Sequence, residues 1–357
     1  MNIDFHYGMI YVVARLAGLD NKRAETVAHA CQYVDDSTTP GILEFTGGES
    51  YERFASAHAM NDFKNAVNKE DKVVWAPFHF LPAGQGDTLE EKSVCKPDSE
   101  IAKQMVRRAI EGREANNALQ RLGISLHVYV DTWAHQGFTG TISRNNKVTS
   151  LEGDDYDQKT WFGKVKEKFG AIEKTVVSEI LDDISGLGHG AALHFPDMPW
   201  AKWKYTNGYG KPIERNNLPD FVQAADMACK AVQGFIHGNV QYETEQGLNV
   251  DAKKAIESLL ESNKDHDEQK RLEVIMAAVA SGAIPGIKEN IPTYISKGEG
   301  SWKHLATGIA AIDDGGIEPD WSNTFEDSDY RKFHDAIKQH RFVVTQEILP
   351  AHGVRLA

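Results

Sequence analysis

Apolar residues return at helical spacing along most of this chain. Residues 7–18 form an apolar run with small residues interspersed. Over residues 21–33, Ala24, Val27, Ala28 and Cys31 share one side of an expected helix, with Asn21 as its cap. A second amphipathic pattern covers 51–67. Residues 98–135 predict one long helix or two, with Asp98 or Ser99 as cap. Apolar positions there recur through Ile101, Met105 and Ile110, then Leu119, Leu122 and Leu126, while Lys103, Arg107 and Arg108 mark a solvated face. Helical patterns continue over 159–184, 219–236, 250–262, 268–281 and 328–348. Strand signals are confined to 73–75 and to 341–344, and the latter fits a helix better. The Gly/Asn/Pro-rich stretch 205–219 reads as a long loop, of the kind that often carries function in a compact domain. No repeat, low-complexity segment or linker interrupts the pattern. It predicts an all-α fold with almost no strand: one multi-helix domain over 1–357, with peripheral helices over 245–357.

Composition narrows the class. The chain has 357 residues, 41% apolar and 25% charged, which is enough to bury a core without disulfides. Its three cysteines, Cys31, Cys95 and Cys229, form no CxxC, so a disulfide framework or a cysteine zinc knot is not expected, and a reducing compartment suits them. A formal charge of −13 disfavours a nucleic-acid groove built from Lys and Arg. It leaves open phosphate chemistry through metals, because the ions bring their own positive charge. The N-terminal segment MNIDFHYGMIYVVARLAGLD has no basic region ahead of its apolar run, and no run of 18 uncharged apolar residues follows. The expectation is a bacterial-type cytoplasmic protein with no membrane span.

The candidate chemistry lies in histidines and aspartates. In LHVYVDTWAH, residues 126–135, His127, Asp131 and His135 stand four apart twice and so rise along one face of a helix. Burying three such groups without partners is costly. Imidazole nitrogen with a carboxylate able to bridge suits zinc. Similar settings hold His6 in DFHYGM, Asp35 and Asp36 in CQYVDDST, and His79 in WAPFHFLP. His189, His194 and Asp197 lie in GLGHGAALHFPDMPW. Each of these alone is also compatible with a packed or solvated side chain. His58 in SAHAMND, together with Tyr205 and Arg215 of the long loop, are weaker candidates for substrate contact. His266 in a charged run, and His334 and His340 near the C-terminus, read as surface residues. The sequence contains no G-x-x-x-x-G-K-[ST], G-x-S-x-G or H-E-x-x-H, so a P-loop, serine-hydrolase or metalloprotease reading has no motif.

In order along the chain, these segments resemble the superfamily of zinc-dependent phospholipases C and single-strand nucleases. ACQYVD, APFHFLP and LGISLHVYVD are the most similar. The whole chain is also similar to an uncharacterised bacterial family related to that superfamily. The resemblance implies an all-helical fold with its metal segments within residues 1–200. It implies two or three zinc or other divalent ions held by His6, Asp35 or Asp36, His79, His127, Asp131, His135, His189, His194 and Asp197. The implied activity is hydrolysis of a small-molecule or lipid phosphodiester, with Asp131 bridging ions and Asp35 or Asp36 bridging or serving as base. Nucleic acid is a poorer expectation because of the acidic charge. Two other readings remain: a metal-binding structural or interaction protein without turnover on the same fold, and an HD-type phosphohydrolase suggested by Asp265-His266-Asp267.

Overall fold

A computed structural model describes residues 1–57, 71–153, 188–312, 314 and 316–356. A π-helical turn, Asp4–Met9, leads into α1 (Ile10–Ala17), and α2 (Asn21–Asp36) follows. A hairpin of β1 (Gly41–Glu44) and β2 (Ser50–Arg53) comes next, then α3 (Asp71–Phe78), α4 (Glu100–Glu111) and α5 (Ala118–Ala134). Strands β3 (Val148–Gly153), β4 (Lys202–Asn207) and β5 (Pro212–Asn216) make an antiparallel sheet in sequence order, with an irregularity in register between Thr149 and Glu152. The chain continues through α6 (Asn217–His237), α7 (Val250–Ser262), α8 (Glu268–Ser281), α9 (Trp302–Thr307) and α10 (Asp329–Phe342). The last of these runs on into a second π-helical turn, Val343–Ile348. The result is a mostly helical single domain with small sheets.

Helix α5 is the axis of the fold. Every residue from Leu122 to Ala134 is buried, and α2, α4, α6 and α10 pack around it. A helix enclosed on all sides has no room for uncompensated polar groups, so His127 and Asp131 on it must be matched by their surroundings. Gly123 lets α2 come close. A Cβ there would lie 2.4 Å from the Val27 carbonyl oxygen and 2.7 Å from the Ala30 Cβ. One turn further on, His127 meets the Cys31 carbonyl at 2.8 Å. These two contacts set α2 and α5 running in the same direction, so the Asp35 end of one helix lies beside the Asp131 end of the other. Ile256, Leu260, Leu272, Ile275 and Ile348 join the apolar cluster that holds Val27, Leu122 and Leu126.

Several expectations need correcting. Residues 73–75 are helical within α3, where Val74 is buried and Trp75 packs partly on the cluster around Phe80 and Trp203. Five short strands occur among the described residues, where almost none was expected. The supposed loop 205–219 holds the end of β4 and all of β5: Gly208 and Gly210 make the turn of that hairpin, and α6 already begins at Asn217. Residues 50–53 pair as β2 and are not helical. The cap of α2 is Asp20, whose side chain accepts from the Arg23 N–H; Asn21 is the first helical residue. His334 and His340 are buried, not on the surface, because α10 packs on α5 and α9. The expected helix 159–184, the remainder of 51–67 past Ala57, and His58 lie outside the described residues. No helix among the described residues is long and apolar enough to cross a membrane. The three cysteines are buried and unpaired with one another.

Candidate metal centre

Five segments deliver donors to one place. The π-helical turn at the start supplies His6, and a locally widened helix of this kind is a common way to re-aim a functional side chain. The last turn of α2 supplies Asp35. His79 follows the end of α3, and His127 and Asp131 come from the C-terminal half of α5. His135, four residues on from Asp131, is the cap residue that ends α5, and its N–H still bonds the Asp131 carbonyl. His189 and Asp197 come from short 3-10 turns ahead of β4. Arg215 on β5 secures the end of α5. Its guanidinium donates to the carbonyls of Trp133, Ala134 and Gln136 at 3.0–3.4 Å, and it lies 5.4 Å from the Trp203 ring. A cation is favourable at a helix C-terminus, where carbonyls are left without partners.

Three groups of donors result: His6, His127 and Asp131; Asp35, His79 and His127; and His135, His189 and Asp197. The middle of the site is a compact polyhedron. His79 Nδ1 and His127 Nε2 are 3.2 Å apart. His79 Nδ1 lies 3.6 Å from Asp35 Oδ1 and 3.7 Å from Asp131 Oδ2, and His127 Nε2 lies 3.7 Å and 3.4 Å from the same two oxygens. Zinc bound at about 2.0–2.1 Å to four tetrahedral donors sets them roughly 3.3–3.4 Å apart. The side chains therefore stand at the spacing of a first coordination shell. The third group is similar, with His135 Nε2 3.5 Å and His189 Nε2 3.4 Å from the Asp197 carboxylate.

The hydrogen bonds behind the donors show why a cation fits. His127 Nδ1 bonds the Cys31 carbonyl, His135 Nδ1 the His79 carbonyl, His189 Nδ1 the Leu193 carbonyl, and His79 Nε2 the Ser56 carbonyl, at 2.7–3.1 Å. A carbonyl only accepts, so each of those nitrogens donates, and the other nitrogen of a neutral ring turns a lone pair inward. At 3.2 Å the inner nitrogens of His79 and His127 then oppose each other, and carboxylates face them. Asp131 Oδ2 is buried with no hydrogen bond. A cation held among these acceptors would satisfy them.

The electrostatics of the site agree with that picture. Burial, followed by the nearby His6, lowers His127 to about 4, and burial lowers His189 to about 4, so both are neutral near pH 7. Burial would raise Asp131 and Asp35. His135, the Met1 amine and His6 outweigh it at Asp131, holding that carboxyl well below the usual carboxylate range, and His127 and His6 hold Asp35 at about 2. Burial pulls His6 down, but Asp131 on one nitrogen and Asp35 on the other, each at 3.0 Å, raise it above its ordinary value. The backbone holds strain nearby: Leu193, whose carbonyl orients His189, sits at φ 60° and ψ −136°, a region costly for a residue with a Cβ.

Other expected residues lie differently. The Asp36 carboxylate turns to the Tyr294 hydroxyl at 2.7 Å and to Gln32 at 3.2 Å, and joins none of the three groups. Gln32 reaches both Asp35 and Asp36, and its spacing of three and four residues on one helix made that contact readable from sequence. His194 is exposed and outside the groups. Tyr205 is buried in the cluster with Phe138, Phe195 and Trp203, and Arg215 is buried against α5, so neither faces an open cleft. The Met1 amine was not foreseen in the site. It lies 2.5 Å from Asp131 Oδ1 and 3.2 Å from Asp197 Oδ1, and these carboxylates raise it to about 11 against its burial.

The family DUF6765, described as a family of unknown function, matches residues 1–348. The chain belongs to that family. No curated protein matches it, and no solved structure does.

Proposed function

We propose that this member of DUF6765 is a zinc-type hydrolase of phosphodiesters, with a bridged two-ion centre and phospholipase C-like or nuclease-like chemistry. The observation that carries the reading is the position of Asp131. Its Oδ2 stands 3.4–3.7 Å from the inward nitrogens of His79 and His127, while its Oδ1 reaches His6 and the Met1 amine, which also contacts Asp197, so one carboxylate faces donors of two groups and is joined to the third through that amine. Asp35, His79, His127 and Asp131 would hold one ion, and His135, His189 and Asp197 a second, with His6 as a further donor beside Asp131. Divalent ions held there would supply Lewis-acid stabilisation of phosphoryl oxygens and a water of lowered pKa.

The protein's own groups do the rest. Asp35 is the partly exposed donor, with its side chain about a third accessible, so it marks the side from which a substrate arrives. The Asp36 carboxylate, raised by burial and held by Tyr294 and Gln32, adjoins it and is the better proton acceptor of the two. A metal centre without turnover is favoured by the near-complete burial of His6, His127 and Asp131. The HD-type alternative has less support, because Asp265, His266 and Asp267 are exposed and join none of the groups.

Elemental analysis of the purified chain should find about two divalent ions, and bis(p-nitrophenyl) phosphate should be hydrolysed in a zinc-dependent, chelator-sensitive way. Ions without turnover on any phosphodiester would favour the non-catalytic reading. Fewer than one ion per chain after zinc supplementation would remove both.

A further inference from the structure

Because α2 and α5 run in the same direction, their beginnings also lie together, at the end away from the metal donors. Between those beginnings and that of α10 is a cleft of about 420 Å³. Twelve residues of α5 separate Leu119 in its wall from Asp131, which at 1.5 Å per residue is on the order of 18 Å. Four cations line the cleft, Lys22, Arg23, Arg113 and Lys332, against two carboxylates, Asp327 and Asp329. That excess of positive charge sits on a chain of formal charge −13.

Local structure accounts for the cations only in part: Asp329 lies near enough to feel both Lys22 and Lys332, one carboxylate for two cations. Lys22 and Arg23 occupy the first turn of α2, and Lys332 the first turn of α10, where the helix dipole disfavours positive charge. Lys22 and Arg23 form no salt bridge among the described residues. Arg113 pairs only with the exposed Glu114, and Lys332 donates to the Asp327 backbone carbonyl. An anion in the cleft would offset both the dipole and the mutual repulsion. The volume exceeds that of a bare ion and falls within the roughly 300–1,000 Å³ of small-molecule pockets. Leu119 and Phe235 add an apolar wall, and Asp327 and the second oxygen of Asp329, whose Oδ1 accepts from the Gln120 amide at 2.6 Å, offer acceptors for hydroxyl groups.

We propose that this cleft binds a hydroxyl-bearing phosphate monoester of the sugar-phosphate class, with the phosphate on Lys22 and Arg23 and the hydroxyls toward Asp327 and Asp329. Arginine and lysine together suit a dianionic phosphate, the one by its planar fork and the other as a point charge. The site is independent of the reading of the metal centre.

Calorimetric titration of the metal-loaded full chain tests it, with glucose 6-phosphate, glucose and inorganic phosphate as probes. The sugar phosphate should bind saturably, inorganic phosphate more weakly, and glucose not at all. The double variant Lys22→Ala, Arg23→Ala, altered only at exposed positions, should bind it about tenfold or more weakly with unchanged metal content. Asp131→Asn, altered only at the metal centre, should bind it as the parent does. Absence of saturable binding, equal binding by the double variant, or loss in Asp131→Asn would overturn the proposal. Inorganic phosphate binding as tightly as the ester would overturn the assignment to a hydroxyl-bearing ligand.

Discussion

Replacing Asp131 by Asn keeps the side-chain shape and removes the negative charge that His6, His79 and His127 face. Its Oδ2 is 3.4 Å from His127 Nε2, 3.7 Å from His79 Nδ1 and 3.6 Å from His135 Nδ1, and its Oδ1 is 3.0 Å from His6 Nε2. A four-donor zinc site is worth about 10–16 kcal/mol at neutral pH, or roughly 2.5–4 kcal/mol per donor. Losing one anionic donor should therefore weaken the ion between His79 and His127 by about two to three orders of magnitude. The ion near His135 should weaken too, since the same carboxylate offsets its charge. The assay is competitive metal titration against a chromogenic chelator, with elemental analysis after dialysis and circular dichroism as a check on the fold. The expected result is loss of more than one ion per chain with helix content retained. His266→Ala, on an exposed residue, should change neither readout. An Asp131→Asn protein that competes for zinc as well as the parent would show that Asp131 is not the shared donor, and the bridged-centre reading would fall with it.

Three further outcomes are expected. Chelation should lower the melting temperature by several degrees and zinc should restore it, because a ligand at about a thousand times its Kd stabilises the folded state by about 4 kcal/mol; an unchanged melting temperature would count against structural coupling of the ions. Gly123→Ala should destabilise the fold by about 1–3 kcal/mol and weaken metal binding, since a Cβ would meet the Val27 carbonyl oxygen at 2.4 Å and push His127 away from Cys31; a neutral effect in chemical denaturation would refute the close approach of α2 and α5. His334 is buried neutral, lowered by desolvation and then by Arg53 to about 3. The unfolded chain takes up a proton there below about pH 6.5 and the folded chain does not, so stability is fully present above that pH and falls as pH drops toward 3, by up to about 1.4 kcal/mol per pH unit. His334→Gln should flatten the pH dependence of the denaturation midpoint in that window, and an unaltered slope would contradict the burial.

Much of the helical frame was legible because its elements are long and periodic. The residues of α7 and α8 follow directly from apolar spacing and from side chains, Asn249 and Asp267, that cap them. The short strands were not legible. The β4–β5 hairpin is rich in Gly, Asn and Lys, and it becomes a sheet because Trp203 and Tyr205 pack on Phe195 and Phe138, contacts distant in sequence. His334 and His340 look like surface residues on a polar helix, and only the docking of that helix onto the centre of the fold buries them.

For the candidate site, the sequence by itself determined the donor types and their spacing along one helix: His127, Asp131 and His135 must lie near one another wherever α5 goes. It could not choose between Asp35 and Asp36, because adjacent residues at the end of α2 point about 100° apart, and only the rotation of α2 against α5 at Gly123 sends Asp35 to His127 and Asp36 to Tyr294. Nor could it assign the ring nitrogens. Which nitrogen of His79, His127, His135 and His189 faces inward depends on backbone carbonyls from Ser56, Cys31, His79 and Leu193, brought there by chain folding. Local sequence sets which groups are able to bind a cation. The long-range packing of buried carbonyls sets where their lone pairs converge, because each imidazole has one N–H to give and the fold decides what receives it.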